Sequence, residues 1–267
     1  MSHVLALITQ DAALVRCELD RVRQGLPPEP GSVVGVGGWQ DGQVVQRRYG
    51  AGVPLTEAWE APDSEVVMLA SRVLGVGQNM EHSAQPFRFR QWLFAAAGTL
   101  EKAEAVRERL WEELPEFLQG TVRGPTWEEA AFARFLAELR EIGRMEDPQL
   151  DAITAASRLG ACARAIDQVS GGVGVTGRPG FALVASNGRL VVATRRGGQA
   201  LSYALLEGTA ECARHELTAQ ARDGESLVRD HRRRRSVVVA SINAEGWVPL
   251  PDGATLAVDR RLTATIK

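Results

Sequence analysis

The order of secondary structure along the chain is the feature that most constrains its fold. Apolar residues recur at helical spacing from about residue 100 to about residue 169, and strand-like segments lie on both sides of this helical block. No linker rich in proline or serine separates the three blocks. We therefore expect the strands before and after the helices to join one α+β architecture.

The first hundred residues predict mainly strands. A buried strand is predicted at residues 4–8, and apolar spacing predicts a helix from Asp11 to Gln24. Further strands are predicted at residues 33–37, 44–49, 65–73 and 88–97. Asp41-Gly42 joins the second and third of these strands, and Asp-Gly is a strong hairpin signal.

The later segments predict helices and then a return to strands. Thr126 and Glu129 have the spacing of a capping box, which predicts a helix from there to about Ile142. Asp147-Pro148 breaks the pattern, and another helix is predicted to end at residues 170–172. Asn187-Gly188 predicts a hairpin. The predicted C-terminal strands are residues 181–185, 190–194, 201–206, 236–241, 247–248 and 255–259.

Composition argues against several classes of partner. The 31 basic and 33 acidic residues leave a formal charge of −2, which gives no electrostatic reason to expect nucleic acid or an anionic membrane. No long apolar run and no basic leader precede or interrupt the pattern, so we expect a cytoplasmic protein. Three distant cysteines and four histidines show no metal-ligand spacing, and we predict no disulfide, no metal site and no cofactor.

Two local motifs have alternative interpretations. Gly172, Gly174 and Gly177 match a dinucleotide-binding spacing, but a helix precedes them and a strand follows, so a loop is predicted. The basic run at residues 231–235 could grip phosphate, which leaves a nucleic-acid-binding module as one hypothesis. Five such residues before a strand more often form a solvated edge, and that is the prediction.

A set of spaced motifs gives the strongest functional signal. Arg72 ends a predicted strand, Gln85-Pro86-Phe87 follows thirteen residues later, and Trp92 to Gly98 closes the next strand. In order and spacing this set resembles the class II glutamine amidotransferases, whose corresponding segments read His-Pro-Phe and Trp-Leu-Phe-Ala-His-Asn-Gly. The segment from Thr126 to Glu129 is similar to the family's Thr-Asp-Ser-Glu helix start.

The resemblance covers nearly the whole chain and implies a fold. Members of the family adopt the four-layer αββα sandwich of N-terminal-nucleophile hydrolases, in which two antiparallel sheets pack face to face with helices outside. For this chain the resemblance implies one amidotransferase-like domain over residues 1–267.

The resemblance also assigns the catalytic positions. Family members use an N-terminal cysteine, exposed by removal of the initiator methionine, with its own amino group as the base. Ser2 stands at that position here. The family's asparagine and glycine, which donate hydrogen bonds to the tetrahedral oxyanion, correspond to Ala97 and Gly98, so only the backbone donor of Gly98 is kept.

The substrate-binding positions depart further from the family. Trp127 replaces the aspartate that holds the substrate's α-ammonium group, and Gln85 replaces the histidine of His-Pro-Phe. Arg72, which in the family pairs with the substrate carboxylate, is kept. Arg72 could equally form an internal salt bridge, and Trp127 could fill the vacated pocket or offer a stacking surface to a different ligand.

These departures favour a catalytically degenerate homologue that acts as a binding or scaffolding subunit. The alternative is an active amidohydrolase or amidotransferase that uses Ser2 on glutamine or a γ-glutamyl-type amide. Either hypothesis is compatible with a protein partner, with a small amide or carboxylate ligand, and with a homo-oligomer.

Overall fold

The computed structural model describes residues 2–23, 31–53, 60–222 and 224–267, and these residues form two antiparallel sheets. The seven-stranded sheet contains β1 (Ser2–Thr9), β2 (Ser32–Gln40), β3 (Gln43–Tyr49), β4 (Val66–Val73), β9 (Ser202–Glu207), β10 (Arg235–Ala240) and β11 (Val248–Pro249). The six-stranded sheet contains β5 (Phe87–Phe89), β6 (Trp92–Thr99), β7 (Gly180–Ser186), β8 (Val191–Arg196), β12 (Thr255–Val258) and β13 (Ala264–Ile266). The spatial orders are β11-β9-β10-β1-β4-β2-β3 and β13-β12-β8-β7-β6-β5.

Seven α-helices occur among the described residues. They are α1 (Val15–Val22), α2 (Met80–Ser83), α3 (Ala103–Glu112), α4 (Glu116–Gln119), α5 (Trp127–Glu141), α6 (Ala152–Gly172) and α7 (Ser226–Arg233). None of these described helices combines the length and the apolar character that crossing a bilayer requires.

The two sheets pack face to face, and β1 shows why. Side chains alternate along a strand, so Val4 and Ala6 point toward Leu93 and Ala95 of the other sheet, while Leu5 packs outward. Burial on both faces explains the continuous apolar run of β1.

Helices cover both outer faces and complete the layers. Val15, Leu19 and Val22 of α1 pack on the outside of the seven-stranded sheet. Helices α3, α5 and α6 pack on the outside of the six-stranded sheet. The predicted four-layer αββα sandwich is confirmed.

Most of the predicted local structure is confirmed, including both hairpins and the glycine loop after α6. The last residue of the first predicted helix, Gln24, lies outside the described residues. The single strand predicted at residues 88–97 is wrong, because β5 and β6 are two strands joined by a turn at Arg90 and Gln91. Arg90 has a positive φ of 52°, so this turn carries none of the glycine or asparagine signals that mark most hairpins.

Two further predictions need correction. Thr126 is the N-cap of α5, but its side chain makes no capping bond, and Glu129 accepts a hydrogen bond from the Gly124 N–H instead, at 2.5 Å. The basic run is not a uniformly solvated edge. Its first part belongs to α7, and Arg234 is 2% exposed and forms a buried ion pair with Glu18.

Candidate active site

Ser2 and Gly98 meet where the two sheets come together. Ser2 is the first residue of β1, and Gly98 lies near the end of β6 in the opposite sheet. The Gly98 N–H donates a hydrogen bond to the Ser2 hydroxyl oxygen at 3.1 Å. The structure therefore brings together the nucleophile and backbone-donor positions that the resemblance assigns.

Packing requires a glycine at position 98. Its φ is +121°, a backbone conformation that other residues rarely adopt. A Cβ atom here would lie 2.3 Å from the Gly180 carbonyl oxygen and 2.7 Å from the Phe181 Cα on the neighbouring strand β7. The direction of the Gly98 N–H is thus fixed by strand packing.

Arg72 lies beside Ser2 because β1 and β4 pair with Ser2 opposite Arg72. A guanidinium NH1 of Arg72 lies 3.2 Å from a carboxylate oxygen of Glu128, the second residue of α5. A second guanidinium nitrogen donates to the Gln78 side-chain oxygen at 3.3 Å. Of the two interpretations of Arg72, the structure shows the internal salt bridge.

Glu128 is a buried carboxylate. Its side chain is 4% exposed, and burial raises its pKa above the ordinary range, while the charge of Arg72 lowers it in part. Its second carboxylate oxygen has no hydrogen-bond partner among the described residues. Glu128 thus gives Arg72 a countercharge from within the chain.

Sequence reasoning missed Glu128 because the family's aspartate falls one residue earlier, on Trp127. Glu128 itself stands where the family pattern has serine. The available signal was an acidic residue in the first turn of a predicted helix, and many helices have such a residue for unrelated reasons.

Ser2, Arg72 and Glu128 line a cavity of about 240 Å³. Trp127 forms part of its wall but does not fill it. The Trp127 side chain is 5% exposed, and its ring contacts Phe181 edge-on, with 5.8 Å between ring centroids, in the core under the helices.

Two other assigned residues lie elsewhere. Gln85 is buried beside β6, where its side-chain oxygen accepts a hydrogen bond from the Ala96 N–H at 2.6 Å. Ala97 is fully buried in the core between the sheets. Neither of them lines the Ser2 cavity.

A larger cleft, of about 760 Å³, lies at the opposite end of the sandwich. The hairpin turns at Asp41-Gly42 and Asn187-Gly188 form its rim. Size alone favours this cleft, but the convergence of Ser2, Gly98 and Arg72 favours the smaller cavity as the candidate active site, because chemistry depends on specific groups held together.

The architecture and the position of Ser2 define the class of fold: the chain has the fold of class II glutamine amidotransferase domains. No family model and no curated protein matches its sequence, whereas several solved structures match its fold.

A class II glutamine aminotransferase domain protein from Silicibacter pomeroyi is similar over 99% of this chain and 98% of its own, with a TM-score of 0.61 and 17% identity. A predicted glutamine amidotransferase from Pseudomonas aeruginosa is similar over 100% and 96%, with a TM-score of 0.57 and 16% identity. The glutamine phosphoribosylpyrophosphate amidotransferase of B. subtilis, complexed with ADP and GMP, matches 99% of this chain and 48% of its own, with a TM-score of 0.57 and 11% identity.

Proposed function

We propose that this protein is a catalytically degenerate relative of the class II glutamine amidotransferases, which acts as a binding or scaffolding subunit. The observation that carries the proposal is the ion pair between Arg72 and Glu128, 3.2 Å apart. The arginine that would bind a substrate carboxylate already has a carboxylate partner, and a second anion would have to displace a buried one.

The surroundings of Ser2 support the same proposal. The one backbone donor at the oxyanion position, the Gly98 N–H, is directed to the Ser2 oxygen. Ala97 offers no side-chain donor, and loss of one such donor typically costs about 10²–10³ in rate. Trp127 can neither accept a hydrogen bond nor balance an ammonium charge.

Ammonia release from glutamine tests the proposal. Purified protein whose intact mass shows that Met1 has been removed is expected to release ammonia no faster than the Ser2→Ala variant. Release by the parent protein that Ser2→Ala abolishes would refute the proposal.

A substitution at Glu128 tests the reason for the degeneracy. Glu128→Ser introduces the residue type of the family pattern and removes the internal countercharge of Arg72. We expect this variant to bind glutamate measurably by calorimetry, whereas the parent protein and the double variant Arg72→Met/Glu128→Ser do not. Equal binding by all three proteins would contradict the proposed block.

A second candidate function keeps Ser2 as a nucleophile, and the convergence of Ser2, Gly98 and Arg72 favours it. In this function the free α-amine takes the hydroxyl proton and the oxygen attacks an amide carbonyl. The amide C–N bond then breaks, the proton passes to the leaving ammonia or amine, and water hydrolyses the ester that remains on Ser2. Labelling of Ser2 by an acylating probe, located by peptide mass spectrometry, would support it. Mature protein that keeps Met1 would exclude it, because the amine and the hydroxyl would then lie on different residues.

A further inference from the structure

Two cysteines and two histidines meet on the outer side of the seven-stranded sheet. Cys17 lies on α1, Cys212 and His215 lie at a short 3-10 turn, and His231 lies on α7. One side-chain donor atom from each of the four lies within 4.8 Å of all the others. The sequence predicts no metal site, but the fold places two of the four histidines, His215 and His231, beside two cysteines.

The spacing of the donor atoms suits a single ion. Zinc binds thiolate sulfur at about 2.3 Å and imidazole nitrogen at about 2.0 Å, so tetrahedral ligand atoms lie about 3.3–3.8 Å apart. The His215 Nδ1 atom lies 3.5 Å from the Cys17 Sγ, 3.6 Å from the Cys212 Sγ and 3.1 Å from the His231 Nε2. These separations are close to a tetrahedral set.

The orientation of His231 supports a ligand role. Its Nδ1–H donates to the Leu227 carbonyl oxygen at 2.9 Å, which leaves the lone pair of Nε2 facing the cluster. Metal-binding histidines commonly use the second ring nitrogen in this way.

Hydrogen bonding accounts for the cluster less well than a metal does. A ring nitrogen carries either one hydrogen or one lone pair, so the His215 Nδ1 can make one hydrogen bond, yet three heteroatoms surround it. If it donates to the His231 Nε2, neither thiol can use it as an acceptor. A cation at the centre would serve all four groups at once.

We propose that Cys17, Cys212, His215 and His231 bind one zinc ion in a tetrahedral structural site. Two thiolates and two imidazoles suit zinc rather than magnesium or calcium, which prefer oxygen ligands. Four protein ligands leave no open coordination position, as in structural rather than catalytic zinc sites.

The position of the site explains what the ion does. The connection between β9 and α7 is long, and its described residues contain only the 3-10 turn Ala213–His215 and an isolated bridge between Cys212 and Leu217. A long connection with little regular structure needs other anchors. The connection has a small apolar anchor of its own, in which Cys212 packs with Leu14 and Cys17. Zinc ties this connection and α7 to α1.

Metal content after purification and extensive dialysis at neutral pH tests the proposal. We expect one equivalent of zinc in the parent protein. His215 is exposed, so His215→Ala should fold, and it should bind zinc at least about 10–100-fold more weakly, the loss typical when even a neighbour of a ligand is removed. Cys162→Ala and His82→Ala, which alter residues outside the cluster, should keep the full equivalent.

Cobalt substitution gives an independent measurement. Cobalt bound at this site is expected to show the visible absorption of a tetrahedral ion and a thiolate charge-transfer band, and Cys212→Ser should weaken that band. A parent protein that takes up neither metal, a Cys17–Cys212 disulfide seen as a mass lower by two hydrogens, or full zinc binding by both His215→Ala and Cys212→Ser would overturn the proposal.

Discussion

The Ser2 cavity and the cysteine–histidine cluster differ in how their charged and polar groups are paired. In the cavity, Arg72 is paired with Glu128, and the Gly98 N–H is taken by Ser2. In the cluster, three heteroatoms crowd around one nitrogen of His215, which can bond to one of them. The comparison teaches that a cavity in a familiar position can contain its own countercharge, whereas the convergence of four donor atoms on one point is the arrangement that a metal site requires.

The largest effect is expected when the ion pair between Arg72 and Glu128 in the Ser2 cavity is broken. Arg72→Met removes the cation beside buried Glu128, and losing one partner of a buried ion pair typically costs about 3–5 kcal/mol. We expect a loss of this size in the free energy of unfolding at neutral pH, measured by urea titration. The double variant Arg72→Met/Glu128→Gln should recover most of it, since no buried charge remains. If the double variant is as unstable as Arg72→Met, the pair is not the source of the loss.

Zinc removal tests the cysteine–histidine cluster. A ligand that binds only the folded state at about 100 times its dissociation constant stabilises that state by about 2.7 kcal/mol. Protein with free zinc at that level should therefore exceed chelator-treated protein by this amount in free energy of unfolding. His215→Ala, with zinc affinity at least about 10-fold weaker, should show a difference of no more than about 1.4 kcal/mol at the same free zinc level, whereas His82→Ala should behave as the parent does.

A smaller effect concerns pH. Burial raises the pKa of Glu128 in the folded state above its unfolded value, so the folded state binds more protons between these two pKa values. The contribution of Glu128 to stability is therefore full below the unfolded pKa and is lost as the pH rises through the folded pKa. The slope from this one group is at most about 1.4 kcal/mol per pH unit. Urea titrations at a series of pH values should show that Glu128→Gln lacks this component.

The smallest effect is expected at Ser2. Ser2→Ala removes the acceptor of the Gly98 N–H, which should cost about 0.5–1.5 kcal/mol in free energy of unfolding. Thermal unfolding of the two proteins provides the measurement, with metal content as a control that should not change. A cost well above this range would mean that Ser2 has a structural role beyond one hydrogen bond.

The sequence predicted the framework well because its signals are local. Apolar runs and the Asp41-Gly42 and Asn187-Gly188 turns placed most strands correctly. The turn at Arg90 and the helix α7 were missed because neither carries such a signal. Arg90 is not glycine, and α7 buries only Val228 and His231.

The two sites depend on contacts between distant parts of the chain, and this limited their prediction. Arg72 and Ser2 followed from the family resemblance, but the carboxylate that pairs with Arg72 comes from Glu128, which no local pattern connects to it. Cys17 is far in sequence from Cys212 and His231, and the nearness of Cys212 to His215 in the sequence was not interpreted as a ligand pair. Folding, rather than sequence spacing, brings these groups together.

The crowding around Gly98 changes how homologues of this protein should be compared. Any side chain at this position would collide with the Gly180 carbonyl and the Phe181 backbone, whether or not a reaction takes place nearby. Invariance of this residue across an alignment would report on the fit between β6 and β7, and it would say nothing about turnover. The position before it, Ala97, has no such backbone contact, so the residue found there in homologues would be the better test of the proposed loss of catalysis.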